Sequence, residues 1–223
     1  MAGAADLTKS FAVLTRQEFQ ASDDRQSTGW VSHQRIASLN GLAFRPVGND
    51  ALNLLAKVEL IDERNPLGGG VLTAQTGHEA RRILTAEAIW SPTSRLELGA
   101  RYAFRTADAT VTHSDSVVQP LSSSADYVGS RLDIGITPWA RIRGDGRLLH
   151  ERTSGTIRWD AAPQLVLLPV RGMEIASGYR IGDLHDPDFA VRGGSGWFMT
   201  IGATITEQSV ASIASFWHSR GNQ

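Results

Sequence analysis

The feature that most constrains this chain is period-two alternation of apolar and polar residues, repeated in segments of about ten residues. Leu52, Leu54, Ala56, Val58 and Leu60 alternate with Asn53, Leu55, Lys57, Glu59 and Ile61. Leu96, Leu98, Ala100, Tyr102 and Phe104 alternate with Glu97, Gly99, Arg101, Ala103 and Arg105. The same pattern returns over 128–137 and 173–181. Successive side chains of a strand point to opposite faces, so each segment predicts a strand with one apolar and one polar face. Helical periodicity is almost absent before residue 206.

The pattern predicts an all-β, antiparallel, up-and-down transmembrane barrel of about ten strands. The strands fall near 10–20, 31–45, 51–62, 81–90, 95–106, 127–137, 141–151, 157–168, 172–181 and 197–205. Short turns are expected at 46–50, 91–94, 137–140 and 169–172, and longer loops at 21–30, 63–80, 107–126, 152–156 and 182–196. Short turns on one side and long loops on the other are an outer-membrane pattern. Residues 1–9 read as a lead-in or linker, 10–205 as the barrel, and 206–223 as a short amphipathic helix, with Val210, Ile213, Ala214 and Trp217 on one face. The last predicted strand is expected to close against the first, because an open edge in lipid leaves backbone groups unmet.

Alternation does not by itself say which face points out. A soluble ligand-binding barrel turns its apolar face inward, and a membrane barrel turns it toward lipid. Trp30, Trp90, Trp139, Trp159 and Trp197 all fall near predicted strand ends, where interfacial girdles sit. The polar face mixes charges of both signs with Gly and Ala, which suits a crowded lumen. The expected lumen network is Lys57, Glu59, Glu87, Glu97, Arg101, Arg131, Asp133 and Glu174. Arg16, Glu18, Arg105, Arg143, Asp145, Arg147, Glu151 and Arg180 share that phase. Buried charges persist when paired and hydrogen-bonded, so the expectation is a lumen closed by ion pairs, with Arg101 held by Glu59, Glu87 or Glu97.

The bulk numbers narrow the alternatives. A net charge of -1 gives no footing for nucleic acid. With no cysteine there is no disulfide framework and no thiolate metal site. No apolar run approaches the ~18 residues of a transmembrane helix. Residues 1–10 lack a charged segment followed by an apolar core, so any export signal is expected upstream. Only Lys9 and Lys57 of the 22 basic residues are lysine, and arginine suits fixed, multi-donor networks.

Chemical motifs are sparse. Arg143-Gly144-Asp145 spells an adhesion tripeptide but falls inside a predicted strand, away from the loop tip that recognition requires. Asp183, His185, Asp186 and Asp188 supply oxygens for calcium, but Pro187 interrupts the tight turn such a site needs. His33, His78, His113, His150, His185 and His218 are scattered, with no HExxH spacing. His78, His113, Asp115 and Asp126 are the best set for a loop-end hydrolytic site. There is no G-x-S-x-G elbow, P-loop or GxGxxG motif. No cofactor or catalytic residue is expected.

Specific strand-and-turn stretches add a resemblance. They are Gly41-Leu-Ala-Phe-Arg-Pro46, Asn49-Asp-Ala-Leu-Asn53, 95–105, Ser177-Gly-Tyr-Arg-Ile-Gly-Asp183, and Asp186-Pro-Asp-Phe189 followed by Gly196-Trp-Phe198. With these, the segment from Gly41 to Trp217 resembles the C-terminal barrel region of large bacterial surface and envelope proteins that carry repeat domains upstream. The resemblance implies a Gram-negative outer membrane, an anchoring or export role, and no catalytic residues. The partners it implies are outer-membrane lipid, the barrel-assembly machinery and an upstream passenger or periplasmic domain. The alternatives are a small outer-membrane enzyme with its site at the long-loop end, and a soluble ligand-binding barrel.

Overall fold

The computed structural model describes residues 1–26, 29–64, 76–112, 118–170, 172–184, 186 and 194–203. Among these there is no helix, and the strands form one antiparallel sheet in simple sequence order. They are β1 (Ala2–Asp6), β2 (Phe11–Gln26), β3 (Gly29–Phe44), β4 (Leu52–Arg64), β5 (Thr76–Thr93), β6 (Leu96–Thr112), β7 (Val118–Thr137), β8 (Ala140–Glu151), β9 (Thr156–Leu167), β10 (Met173–Gly182) and β11 (Gly196–Ala203). Every ladder is a neighbour-to-neighbour antiparallel pairing, so the architecture is all-β and up-and-down.

All ten predicted strands are present as β2–β11, and three differences stand out. The expected lead-in contains β1, which pairs with the lower part of β2 from Ala2↔Arg16 to Asp6↔Ala12. The expected loops 21–30 and 107–126 are largely strand, because β2, β3, β6 and β7 run well past the length of a bilayer crossing. The expected closure is absent among the described residues. The edge of β2 that was to receive the last strand is taken by β1 over Ala12–Arg16, and no ladder joins β11 to β1 or β2. The predicted helix over 206–223 lies outside the described residues.

Register fixes which side chains share a face. On β4 to β6, Val58 stands opposite Leu84, and Leu84 opposite Phe104. On β6 to β8, Tyr102 stands opposite Val128, and Val128 opposite Leu148. This face holds nearly all the large exposed apolar side chains, among them Leu54, Leu60, Leu132, Ile142, Leu165, Tyr179 and Met199. The other face carries the buried residues, including Ile83, Ala103, Tyr127, Leu149 and Val166.

The buried face is concave. Leu184, just after β10, packs with Ile83 of β5, Ala103 of β6, Ala125 and Tyr127 of β7 and Leu149 of β8. In a flat sheet, β5 and β10 would lie about 24 Å apart, at roughly 4.8 Å per strand. Contact across that span requires the sheet to curl around Leu184.

Candidate functional site

The concave face is lined by charge, and the ladder explains why. Lys57, Glu87 and Arg101 are inward residues of consecutive strands, with Glu87 directly opposite Arg101. Lys57 Nζ lies 3.0 Å from Glu87 Oε1, and Arg101 Nε lies 3.5 Å from the same atom. Arg101 also sits over the Tyr127 ring, 5.5 Å from its centroid. Arg131 donates to Asp145 at 2.9 Å. Arg143 bridges Asp133 and Glu174, donating to each at 2.9 Å. Thus six of the eight predicted network residues are ion-paired: Lys57, Glu87, Arg101, Arg131, Asp133 and Glu174. Glu59 and Glu97 occupy the same face but make no ion pair among the described residues. Of the three acids expected around Arg101, Glu87 is the one it meets. A cavity of about 300 Å³ remains beside Glu87, Glu97, Arg101, Arg131 and Arg147.

Several members of the network were not among the residues expected from the alternation. Arg35 and Arg81 both grip Glu63, at 2.9 and 2.7 Å, near the long-loop ends of β3 to β5. Glu63 and Arg81 sit at or beyond the predicted strand ends, so the period-two rule did not reach them. Asp160 is almost fully buried between Arg147 and Arg180, at 3.7 and 3.9 Å. Its phase was readable, because it alternates with Trp159 and Ala161 in β9.

Just after β10 the chain turns in over the concave face near the long-loop ends, and its described residues there, Asp183, Leu184 and Asp186, form a strap. Leu184 is fully buried, and Asp186 is 5% exposed. Arg105 Nη1 donates to both carboxylate oxygens of Asp186, at 3.2 and 3.0 Å, a charge-assisted contact. The turn into the strap depends on Gly182, whose φ is +111°. A Cβ at this position would collide with the carbonyl oxygen of Trp159. The feet of the strap are tied together, since Gly182 N–H donates to Ser195 Oγ, which donates in turn to the Gly182 carbonyl. Below it, Phe198 lies over Gly178, where an added Cβ would meet the ring at 2.9 Å. The stretches 177–183 and 196–198 thus pack together through Gly178 and Phe198.

This geometry gives Asp186 a guanidinium partner where sequence offered calcium. His185 and Asp188 lie outside the described residues, and no group of three or more metal-ligating side chains occurs among the described ones. Arg143 and Asp145 of the adhesion-like tripeptide both face inward and are ion-paired, so neither is presented to a receptor. The hydrolytic set does not assemble among the described residues. His78 pairs with Asp62 at 2.9 Å. Asp126 accepts from Tyr102 at 2.7 Å and from Arg152 at 2.8 Å. The hydrogen bond to Asp126 pushes the pKa of the Arg152 guanidinium further up. His113 and Asp115 lie outside the described residues.

The convex face is the second element of the site. Its apolar run on β4 extends from Leu52 to Leu60, eight steps or about 26 Å along the strand. At the tilt of a closed barrel, that is roughly 20 Å of height, close to the ~25 Å apolar band of an outer-membrane barrel. Trp90 and Trp139 stand exposed at the short-turn end, and Trp159 and Trp197 at the long-loop end. The side chain of Trp30 lies outside the described residues.

No family model matches the chain, and no curated protein does. Among solved structures it is similar to the crystal structure of a Pseudomonas aeruginosa FadL homologue, with 13% sequence identity and a TM-score of 0.43. The likeness covers 81% of this chain and 58% of that one, so this chain spans less than two thirds of the neighbour's length.

Proposed function

We propose that this chain is an outer-membrane β-barrel that serves as the membrane anchor or export domain of a larger envelope protein, with its lumen closed. The observation that carries this is the inversion of the sheet: large apolar side chains lie exposed on the convex face, and ion-paired charges fill the concave one. Water would penalise such a surface, whereas a bilayer solvates it. A soluble ligand-binding barrel requires the opposite arrangement. The partners are outer-membrane lipid and the barrel-assembly machinery, and the site needs no catalytic residue.

The network and the strap act as a plug, since each inward charge with a partner also blocks the bore.

The test is behaviour in detergent and bilayers. Folded protein is expected to need detergent, to migrate differently before and after boiling, and to show no large, steady conductance in a planar bilayer. A tag-free protein that stays folded and monodisperse in plain buffer would overturn the membrane assignment. A wide, steady channel would overturn the plugged lumen alone.

A further inference from the structure

The convex face is mostly apolar along β4 to β11, with single outward serines at Ser130 and Ser177, but is interrupted by two adjacent polar rows on β2 and β3. The outward residues of β2 run Phe11, Val13, Thr15, Gln17 and Phe19. Those of β3 run Phe44, Leu42, Asn40, Ser38 and Ile36. The register sets Thr15 opposite Asn40 and Gln17 opposite Ser38, so two polar rows lie between apolar rows above and below. These four side chains bond to one another. Thr15 donates to Asn40 Oδ1 at 3.1 Å, and Gln17 and Asn40 donate to Ser38 Oγ at 2.8 and 3.1 Å.

That arrangement is incomplete. A carboxamide offers two N–H donors and an acceptor oxygen. Gln17 and Asn40 each use one N–H, and Gln17 Oε1 accepts nothing among the described residues. In hydrocarbon, unmet donors and acceptors are costly, and neighbouring strands place Val58 and Leu60 in the same rows. Phe19 and Ile36 beside the patch are 68% and 51% exposed, apolar material for a rim.

We propose that the β2–β3 convex face is a self-association surface, on which a second copy of this chain packs side by side in the membrane. The chemistry selects the occupant. All four polar groups are uncharged, and each is both donor and acceptor, so the patch complements itself. A two-fold axis along the membrane normal keeps both copies in the same orientation and brings each patch against its twin. Lipid tails offer neither donor nor acceptor.

This inference rests on the membrane assignment, which boiling-dependent migration scores independently. The chain has no native cysteine, so single cysteines report cleanly. Gln17→Cys and, on the far side of the sheet, Leu132→Cys are introduced separately, and the proteins are reconstituted in phosphatidylethanolamine–phosphatidylglycerol vesicles. A short bis-maleimide is expected to link Gln17→Cys into dimers at least five-fold more than Leu132→Cys. Wild-type protein in mild detergent is expected at twice the chain mass by light scattering. The Gln17→Leu, Asn40→Leu double variant is expected as a heat-modifiable monomer, since it extends the apolar face. Equal linking at both positions, a monomeric wild type, or a dimer that survives the double variant would each overturn the proposal. So would a crosslink within one chain between cysteines at 20 and 198, because β11 would then cover the edge beside the patch.

Discussion

The two ends of the sheet are built to different standards. From β5 to β10 the concave face wraps the strap, and its best-covered ion pairs are shielded: the side chains of Arg105 and Asp186 are 12% and 6% exposed and that of Asp133 beside Arg143 is 5%, whereas Arg131 is 52% exposed. At β1 to β3 the same inward phase holds, yet Arg16 and Glu18 remain 65% and 36% exposed. All five residues of β1 are exposed, and none is larger than aspartate. The inward wall there is partly apolar, with Leu14, Ala43 and Leu55 around a cavity of about 640 Å³ near the short turns. Identical alternation thus yields a packed plug in one region and a thin, open flank in the other. Alternation sets the facing, but something must fill the concavity before facing becomes burial. Leu184 and Asp186 do this for β5–β8, and no described residue does it for β1–β3.

The sharpest break in that comparison is Arg105→Met. It leaves the Asp186 carboxylate buried without its guanidinium, at a cost of up to about 3–5 kcal/mol. Urea unfolding in lipid, followed by tryptophan emission, measures it. A loss below about 1 kcal/mol would mean that the strap adds little. Next comes Leu98→Arg, which sets a charge on the convex apolar face of β6 and, in the proposed bilayer setting, should cost about 2–4 kcal/mol near the midplane. Ser38→Arg on the polar rows of β3 should cost no more than roughly half as much, because its apolar surroundings are already broken. Equal penalties at both sites would erase the distinction between the two convex regions.

Gly182→Ala is expected to cost roughly 1–3 kcal/mol in backbone strain, since alanine disfavours a positive φ. Because the added Cβ meets a backbone oxygen, the strap must move, and bilayer conductance should rise from near zero. Unchanged stability and conductance would show that the turn tolerates a side chain. Smallest of all is Arg16→Met. Its exposed pair with Glu18 should be worth less than about 1 kcal/mol. A loss approaching that of Arg105→Met would mean that the β1–β3 flank is buried after all, by a closing strand or by a partner.

Much of the fold was legible because strand geometry is local. Lys57, Glu87, Arg101, Arg131, Asp133 and Glu174 were assigned one face from residue parity alone, and the ladders place them there. A one-residue slip would have reversed every one of them. Leu184 and Asp186 were not legible, since they belong to no periodic segment, and their burial depends on strands up to a hundred residues earlier in the chain. Arg35, Glu63 and Arg81 shared the lumen phase but fell outside the expected network, Glu63 and Arg81 because they sit at predicted strand ends where turn signals are weak. β1 escaped notice because Ala-Gly-Ala-Ala carries no contrast between faces.

By itself, the sequence determined which residues alternate, where the middles of ten strands lie and which side chains are charged, since alternation follows from a backbone that turns each successive residue by half a revolution. The tertiary structure decided that the apolar face is the outer one, that Arg105 finds Asp186, and that β1 takes the lower edge of β2. Those outcomes depend on curvature and on contacts across many strands, and a two-residue period carries no information about either.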